Sequence, residues 1–330
     1  MRAGARSGAP PSEFSYRTVA AEELPACAGI WRTSINDYIV PMGQPEIAPE
    51  FIPLLRLYAH LQATDPERFV VATVPDSGRE RVVAFASALV RESFWYLSML
   101  FVLPEFQGAG LGRALLRQVL PHGDTSARAT ATDSAQPISN ALYASYGMVP
   151  RMPFLNLIGL PERPEAFEPL PSGVVPIPFD ELVRDAGGDG RDGGGQGHAM
   201  LVDAIDALDR ELLGFAHPLD HRFLRGEGRR GWLYRGPDGG VLGYGYAGEA
   251  GRVGPIAVRD EALLGPVLGH LTSAVVPRGA FAFWVAGAAD RAVVPALQAG
   301  FRLDPFPVLL CWDKPFADFS RYLPIGTGLL

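Results

Sequence analysis

Residues 102–113 read VLPEFQGAGLGR, and the helical pattern ALLRQVL follows at 114–120. A strand-like apolar run thus passes through a proline into three alternate glycines and then into a helix. Gly108, Gly110 and Gly112 leave the backbone bare at the helix start, where unpaired N–H groups and the helix dipole attract anions. Glycine is favoured wherever an anion must approach the backbone. The stretch therefore predicts a phosphate-binding strand–loop–helix unit.

Two common nucleotide-binding motifs do not fit this loop. The glycines run G-x-G-x-G, and the preceding pattern is an antiparallel hairpin, whereas a dinucleotide fold needs G-x-G-x-x-G in an opening βαβ unit. The loop also lacks the Gly-Lys-Ser/Thr ending of a P-loop. Glycines that serve only the turn geometry remain an alternative on this pattern alone.

Length, composition, net charge and cysteine content limit the class of protein that the sequence can encode. The chain has 330 residues, 48% of them hydrophobic, and a net charge of −7, which predicts about two globular domains. Negative charge argues against nucleic-acid and anionic membrane partners, and no apolar run is long enough to span a membrane. Cys27 and Cys311 form no metal-binding spacing, so we expect no metal and a cytoplasmic location. Residues 1–13 lack the apolar core of a signal peptide and predict a disordered tail.

The order of predicted elements occurs twice. Residues 14–160 predict β-αα-βββ-α-β-α-β, an α/β fold with a mixed, mostly antiparallel sheet flanked by helices. A proline-rich segment, 161–173, fits a linker, and residues 174–330 repeat the same order. VVAFASA (82–88) pairs with VLGYGYA (241–247), which indicates an internal duplication. Chance similarity between two small α/β domains is the alternative.

Two further pairings belong to this prediction. Val102 corresponds to Val258, and SYGM (145–148) corresponds to QAGF (298–301). The glycine-rich segment 186–197 predicts a mobile loop within the second repeat.

Two motifs resemble a known family. The pattern Val102-x-Pro104-x-x-Gln107-Gly108-x-Gly110-x-Gly112 resembles the acyl-coenzyme A loop of the general N-acetyltransferase (GNAT) superfamily, Gln/Arg-x-x-Gly-x-Gly/Ala. LYASYGM (142–148) is similar to the family's Leu-Tyr-x-x-x-Gly-Phe helix end, with Met148 in place of Phe. The resemblance implies two tandem GNAT-like domains. It also implies an N-acetyltransferase that uses acetyl-CoA as cosubstrate.

The resemblance assigns three groups of cosubstrate-binding residues. Backbone groups at the end of the fourth strand would hold the acetyl carbonyl and the pantetheine arm: Leu100, Phe101 and Val102. The loop would wrap the pyrophosphate through Gln107, Gly108, Ala109, Gly110, Leu111, Gly112 and Arg113. Gln136 and Asn140 are alternative contacts to the pantetheine arm.

The resemblance also assigns the chemistry. Tyr143 takes the position of the family's general acid, which protonates the leaving thiolate; a core tyrosine is the alternative. Ser98 could pass a proton through water. The general base stays unassigned, because the strand FWYLSMLFVL holds no carboxylate. Glu92 and Asp133 are the nearest carboxylates in the sequence, and solvated turn residues are the alternative for both.

The acceptor is predicted to be the primary amine of a small molecule or peptide. Substrate contacts in this family come from the link between the first two helices and from the hairpin, where Asp37, Tyr38, Glu92 and Trp95 lie. Acidic and aromatic side chains favour a cationic amine, although aromatics at such positions are often core residues. A homodimer remains an alternative to a monomer.

The second repeat lacks the motifs of the first. VRDEALLGPVLGHL (258–271) has no glycine pattern, and Asp260 and Glu261 would repel a diphosphate. We therefore expect this copy to keep the fold and to have lost acetyl-CoA binding. HPLDHRF (217–223) places two histidines four residues apart, but no third ligand is apparent, so the pattern predicts a surface helix.

Two other functions remain compatible with these residues. One is a non-catalytic acyl-CoA-binding sensor or scaffold, which the missing strand carboxylate keeps open. The other is a transferase of a larger acyl group, since a fold does not choose among such chemistries.

Overall fold

A computed structural model describes residues 14–50, 52–185, 193–305 and 307–330. The predicted tail 1–13 lies outside these residues, as does most of the predicted loop 186–197. Contacts divide the chain into two compact units. The first unit contains the described residues up to Val90 together with Trp95–Thr125, and the second contains Arg91–Phe94 and Ser126–Leu330.

The first unit contains an antiparallel sheet and three helices. Its strands lie in the order β1-β2-β3-β4, and they span β1 (Ser15–Thr18), β2 (Phe69–Asp76), β3 (Arg79–Arg91) and β4 (Phe94–Val102). Its helices are α1 (Leu24–Ile39), α2 (Ile52–Thr64) and α3 (Leu111–Val119). Continuous apolar runs in β3 and β4 are buried, as expected for strands covered on both faces.

The core of this unit is aromatic. Tyr58 of α2 packs edge-on against Phe69 of β2 and Phe85 of β3, with ring centroids 5.7 and 5.5 Å apart. Phe69 and Phe85 stack on each other at 5.8 Å. Because such rings bury large apolar areas, they fix α2 on the sheet.

The second unit contains ten strands and six helices among its described residues. The strands are β5 (Ala127–Asp133), β6 (Val149–Gly159), β7 (Val175–Pro178), β8 (Arg230–Arg235), β9 (Val241–Ala247), β10 (Val253–Val258), β11 (Phe281–Ala286), β12 (Arg302–Leu303), β13 (Val308–Trp312) and β14 (Tyr322–Leu323). The helices are α4 (Pro137–Ala144), α5 (Phe179–Asp185), α6 (Gly193–Leu213), α7 (Pro218–Gly226), α8 (Leu264–Ala274) and α9 (Asp290–Ala299).

Strands from the two sequence repeats are interleaved within this unit. One run of neighbours is β5-β13-β6-β11, so β13 lies between β5 and β6. Leu310 of β13 is opposite Ala131 of β5 on one side and Met152 of β6 on the other. On its far side β6 pairs with β11. One sheet of this unit therefore contains strands from both predicted repeats. The boundary between the two compact units lies near Thr125, whereas the predicted domain boundary is the linker 161–173.

A second sheet is formed by the second repeat alone. Its strand order is β14-β10-β9-β8-β7. Helices α8 and α9 cover an apolar cluster in this unit that includes Leu264, Leu268 and Ala296. Phe167, from the predicted linker, is buried in the same cluster, so this segment is packed rather than extended.

The mixed α/β fold class is confirmed, whereas the pairing of the repeats stays a prediction with which several positions agree. The strand β4 ends at Val102 and β10 ends at Val258, the two residues that the duplication aligns. Gly147 and Gly300 follow α4 and α9 with φ of 90° and 107°, the left-handed conformation of a helix C-cap.

Two predicted boundaries were wrong. The run FLNLIGL (154–160) predicts the last strand of the first repeat, but β6 begins earlier, at Val149, and contains Pro150 and Pro153. The predicted loop was extended to residue 197, whereas α6 begins at Gly193. None of the described helices combines the length and hydropathy needed to cross a membrane.

Candidate functional site

The glycine loop of the first unit has an open, exposed backbone. Gly108 and Gly110 adopt φ of 78° and 84°, which L-residues with side chains rarely accept. Apart from the adjacent residues, no atom of the described part of the chain lies within 4 Å of a Cβ built at either glycine. The conformation of the turn, and not crowding within the chain, therefore requires glycine at both positions.

The helix after the loop begins without a side-chain cap. Gly110 is the N-cap residue of α3, and the first helical hydrogen bond runs from the Ala114 N–H to the Gly110 carbonyl. Leu111, Gly112 and Arg113 lie in this first turn, whose N–H groups have no intrahelical acceptor. Arg113 is exposed beside them. This arrangement suits a bound anion.

The loop is tied to the end of β4 through one carbonyl. The Val102 carbonyl accepts hydrogen bonds from Gln107 Nε2 and from Ser34 Oγ, each at 3.0 Å. The Gln107 backbone N–H donates to the Pro104 carbonyl at 3.2 Å. The Gln107 amide was predicted to contact pyrophosphate, but it is engaged in the turn, so the accessible run of backbone begins at Gly108. Ser34 was missed, because a lone serine in a helix carries no sequence signal.

Trp95 has a structural role in the first unit. Its side chain is fully buried, and its indole N–H donates to the Val119 carbonyl at the C-terminus of α3, at 2.9 Å. Leu111, Leu115 and Leu116 bury the apolar face of the same helix. The predicted substrate contact by Trp95 is not supported, because a fully buried ring that caps a helix carbonyl belongs to the core.

The remaining predicted residues of β4 and its surroundings vary in exposure. Ser98 is buried in mid-strand, while Leu100, Phe101 and Val102 are half-buried. Ala109 is exposed in the loop.

The candidate acceptor residues lie at two places in the chain. Asp37 is exposed and Tyr38 half-buried in the last turn of α1. Glu92 is exposed in the turn before β4, with φ of 51°, and forms an ion pair with Arg210 at 2.8 Å. The role of Glu92 as a substrate contact stays a prediction.

Tyr143 lies in the second unit, in a setting made partly by the second repeat. Its side chain is 4% exposed on α4, which packs against β5 and β6. Burial raises the pKa of Tyr143 above its usual value, and the Cys311 thiol of β13 raises it further. The hydroxyl is therefore a proton donor at neutral pH. Asn140 donates to the Asp133 and Gln136 carbonyls, at 3.0 and 2.7 Å.

Gln136 and Asn140 thus lie together at the start of α4. Gln136 is the N-cap residue, and its carbonyl is one of the acceptors for Asn140 Nδ2. Asn140 Oδ1 is buried and, within the described part of the chain, has no hydrogen-bond partner. Of the two candidates, Asn140 therefore offers the unused acceptor.

The corresponding strand end in the second repeat is already paired. The residues that the duplication aligns with Leu100–Val102 are 256–258 of β10. Ile256 and Ala257 pair with Leu323 and Tyr322 of β14, and the Val258 N–H donates to the Arg321 carbonyl. The C-terminal segment thus occupies backbone groups that, in the first repeat, are the predicted pantetheine contacts.

The helix start of the second repeat is also closed. Asp260 Oδ1 accepts a hydrogen bond from the Ala262 N–H at 3.0 Å and caps the turn Glu261–Leu263 that leads into α8. A carboxylate therefore stands near the position of the bare Gly110 loop. It satisfies the amide that an anion would need and adds negative charge.

A comparison of the sequence with protein-family models identifies a known family. A family model described as Acetyltransferase (GNAT) family matches residues 34–148, which include the glycine loop and Tyr143. Residues 34–148 are therefore a GNAT-family domain. No curated protein sequence matches it significantly.

Solved structures with the GNAT fold cover nearly the whole chain. A candidate acetyltransferase from Pyrococcus horikoshii is 13% identical, with a TM-score of 0.65 over 100% of this chain and 98% of its own. A GCN5-related N-acetyltransferase from Sphaerobacter thermophilus is 18% identical, with a TM-score of 0.59 over 95% and 100%. A tandem GNAT protein from the clavulanic acid biosynthesis pathway is 15% identical, with a TM-score of 0.54 over 92% and 99%. At these identities the likeness is one of fold.

The family match indicates which general reaction residues 34–148 belong with. Its members are acetyltransferases, so the chain belongs with enzymes that transfer acyl groups. The loop, strand end and uncapped helix of the first unit are the parts of the chain that suit a thioester-carrying nucleotide.

Proposed function

We propose that the protein is an acetyl-CoA-dependent N-acetyltransferase that acetylates the primary amine of a small molecule or peptide. The observation that carries the proposal is the exposed Gly108–Gly110 turn, which leads into an uncapped helix directly after β4. Exposed, converging N–H groups with no side chains in the way bind a diphosphate. The family match over residues 34–148 supports the same choice of ligand.

In the proposed reaction, backbone groups at the end of β4 position the thioester and Tyr143 supplies a proton. The amine nitrogen attacks the thioester carbonyl, the C–S bond breaks, and the departing thiolate takes the proton of the Tyr143 hydroxyl. The proton lost by the amine passes to solvent, through Ser98 and water in this proposal. Positioning and fixed dipoles supply much of the acceleration in such a site.

A matched pair of glycine variants tests the site. Gly110 and Gly78 both have left-handed φ (84° and 82°) and open space for a Cβ, and Gly78 lies in the β2–β3 turn. Gly110→Asp and Gly78→Asp therefore introduce similar backbone strain. Only the first places a carboxylate at the proposed diphosphate site, so we expect acetyl-CoA affinity by calorimetry to fall at least about tenfold for Gly110→Asp alone, about 1.4 kcal/mol.

The acceptor is tested by thiol release across an amine panel. Polyamines, aminoglycosides, amino-acid amides and peptide N-termini cover the proposed class, and cationic amines are expected to react fastest. Cys27 and Cys311 are both buried, so the folded protein should contribute little background to a thiol assay. Failure of the wild-type protein to bind acetyl-CoA would refute the proposal. Binding of acetyl-CoA without acetylation of any amine would favour an acyl-CoA sensor. The absence of a carboxylate in β4 is compatible with that alternative.

A further inference from the structure

A cluster of three buried side chains lies in the second unit, apart from the residues discussed above. Asp209 is on α6, His217 precedes α7, and His221 is on α7. Their exposures are 0%, 1% and 2%. The histidine pair was predicted to lie on a surface helix with no third ligand. That prediction was wrong, because Asp209, eight residues earlier and on another helix, turns toward both rings.

The ligand-type atoms of the cluster converge on a small volume. Asp209 Oδ2 lies 3.2 Å from His217 Nε2 and 2.9 Å from His221 Nε2. One ligand atom from each of the three residues lies within 4.8 Å of the others. Ligand atoms about 3.3 Å apart surround a tetrahedral ion bound at about 2.0–2.1 Å, and the two distances from Asp209 Oδ2 are close to that spacing.

Each of the three side chains also has a polar neighbour at its second ring nitrogen or second carboxylate oxygen. His221 Nδ1 contacts the Tyr246 hydroxyl at 3.0 Å, and the Tyr244 hydroxyl donates to Asp209 Oδ1 at 2.5 Å. His217 Nδ1 faces Asp220 Oδ2 at 3.7 Å. Partners of this kind orient histidine and carboxylate ligands in metal sites.

Two buried polar groups in the cluster lack partners. Both ring nitrogens of His217 are buried without a hydrogen-bond partner among the described residues, although Asp209 lies within ion-pair distance. Asp206 Oδ1, one helical turn before Asp209, is likewise buried and unpartnered in the described part of the chain. An unpartnered buried group is costly, and a cation bound by the three clustered side chains would satisfy one nitrogen of His217.

We propose that Asp209, His217 and His221 bind one divalent transition-metal ion of the Zn²⁺ class, with water as the fourth ligand. Two imidazoles and a carboxylate suit zinc and its neighbours in the first transition series better than Mg²⁺ or Ca²⁺. Because the ligands are buried, the ion is structural: it holds α6 to α7 beneath β9. The alternative is a hydrogen-bonded core network without metal.

The test uses the full-length protein and metal alone. Protein stripped with a chelator is titrated with Zn²⁺ by calorimetry, and bound metal is measured by elemental analysis after dialysis. We expect one equivalent and a rise of several degrees in Tm when Zn²⁺ is added in excess. Co²⁺ should give the intense visible bands of a tetrahedral site.

Variants of the proposed ligands test which residues bind the metal ion. The double variant His217→Gln/His221→Gln should lose the metal and the Tm response, while His122→Gln, at an exposed histidine, should keep both. Asp209→Asn, which preserves shape, should weaken binding at least about tenfold and serves where the double variant does not fold. The proposal is overturned if the wild type binds no Zn²⁺ and gives no tetrahedral Co²⁺ spectrum. It is also overturned if a folded double variant binds as much metal as the wild type.

Discussion

Burial keeps the Tyr143 hydroxyl protonated, as its proposed role as general acid requires. Its side chain lies between α4 and the strands beneath it, and low polarity disfavours the phenolate. Burial raises the pKa of the Tyr143 hydroxyl, and the neighbouring Cys311 thiol adds to the effect. A hydroxyl that remains protonated through the alkaline range can donate to a thiolate at every pH at which an amine acceptor is free to react.

Replacement of this hydroxyl should separate chemistry from binding. Tyr143→Phe is expected to lower kcat about 100-fold or more while the acetyl-CoA Kd stays within about twofold. Wild-type kcat should show no alkaline loss due to Tyr143 below pH 10, since its pKa is raised. Thiol release measured between pH 7 and 10 checks both points, with Tyr146→Phe at the end of the same helix as control. Wild-type turnover by Tyr143→Phe would assign the general acid elsewhere.

Among the elements, the β3–β4 turn is fixed to α7 by a buried ion pair. Arg91 Nε and Nη2 donate to the two carboxylate oxygens of Asp220, both at 2.8 Å, and each side chain is only 4% exposed. A bidentate pair compensates the cost of burying both charges, but neither charge is stable there alone. The neighbouring pair Glu92–Arg210 is solvent-exposed and contributes much less.

Replacing the arginine of each pair by alanine should therefore change the free energy of unfolding by different amounts. Arg91→Ala is expected to lower the free energy of unfolding by about 3–5 kcal/mol, because it leaves Asp220 buried without its counter-ion. Arg210→Ala should cost less than about 1 kcal/mol. Urea unfolding followed by circular dichroism measures both, and equal losses would contradict the argument.

At the scale of the whole molecule, strands from both predicted repeats lie in one sheet. The strand β13 fills the space between β5 and β6, so the sheet that carries α4 and Tyr143 is incomplete without the second repeat. The C-terminal strand β14 in turn closes the corresponding strand end of the second repeat. We therefore expect one acetyl-CoA per chain in the calorimetric titration.

The buried ionisable groups also predict an alkaline limit to stability. Burial raises the pKa of Tyr58, Tyr143 and Tyr234, and it raises the pKa of Cys27 and Cys311 to about 12. The folded pKa of each exceeds its unfolded value, so the stabilisation is complete below the unfolded pKa and is lost as pH rises. The loss should begin near pH 9 for the thiols and near pH 10 for the phenols, at up to about 1.4 kcal/mol per pH unit for each group.

Urea midpoints between pH 7 and 11 would measure this loss. Tyr58→Phe removes one buried phenol and should make the decline above pH 10 shallower than in the wild type. A stability that stays flat up to pH 11 would contradict the assigned burial of these side chains.

Local patterns were sufficient for most elements and for the family. Apolar periodicity placed the strands and helices, and the G-x-G-x-G loop with LYASYGM identified the GNAT resemblance, because turn geometry and helix capping depend on neighbouring residues. The conformations of Gly108 and Gly110 follow from the same short-range rules. These features were readable from residues close together in the chain.

Pairing between distant segments required the three-dimensional structure. The run VLLCW predicts a strand, but an apolar strand has the same pattern whichever sheet it joins, so the position of β13 between β5 and β6 was not predictable. The approach of Asp209 to His217 and His221 was missed for the same reason. Sequence spacing reports neighbours along the chain, whereas contacts between elements depend on how the sheets close around the core.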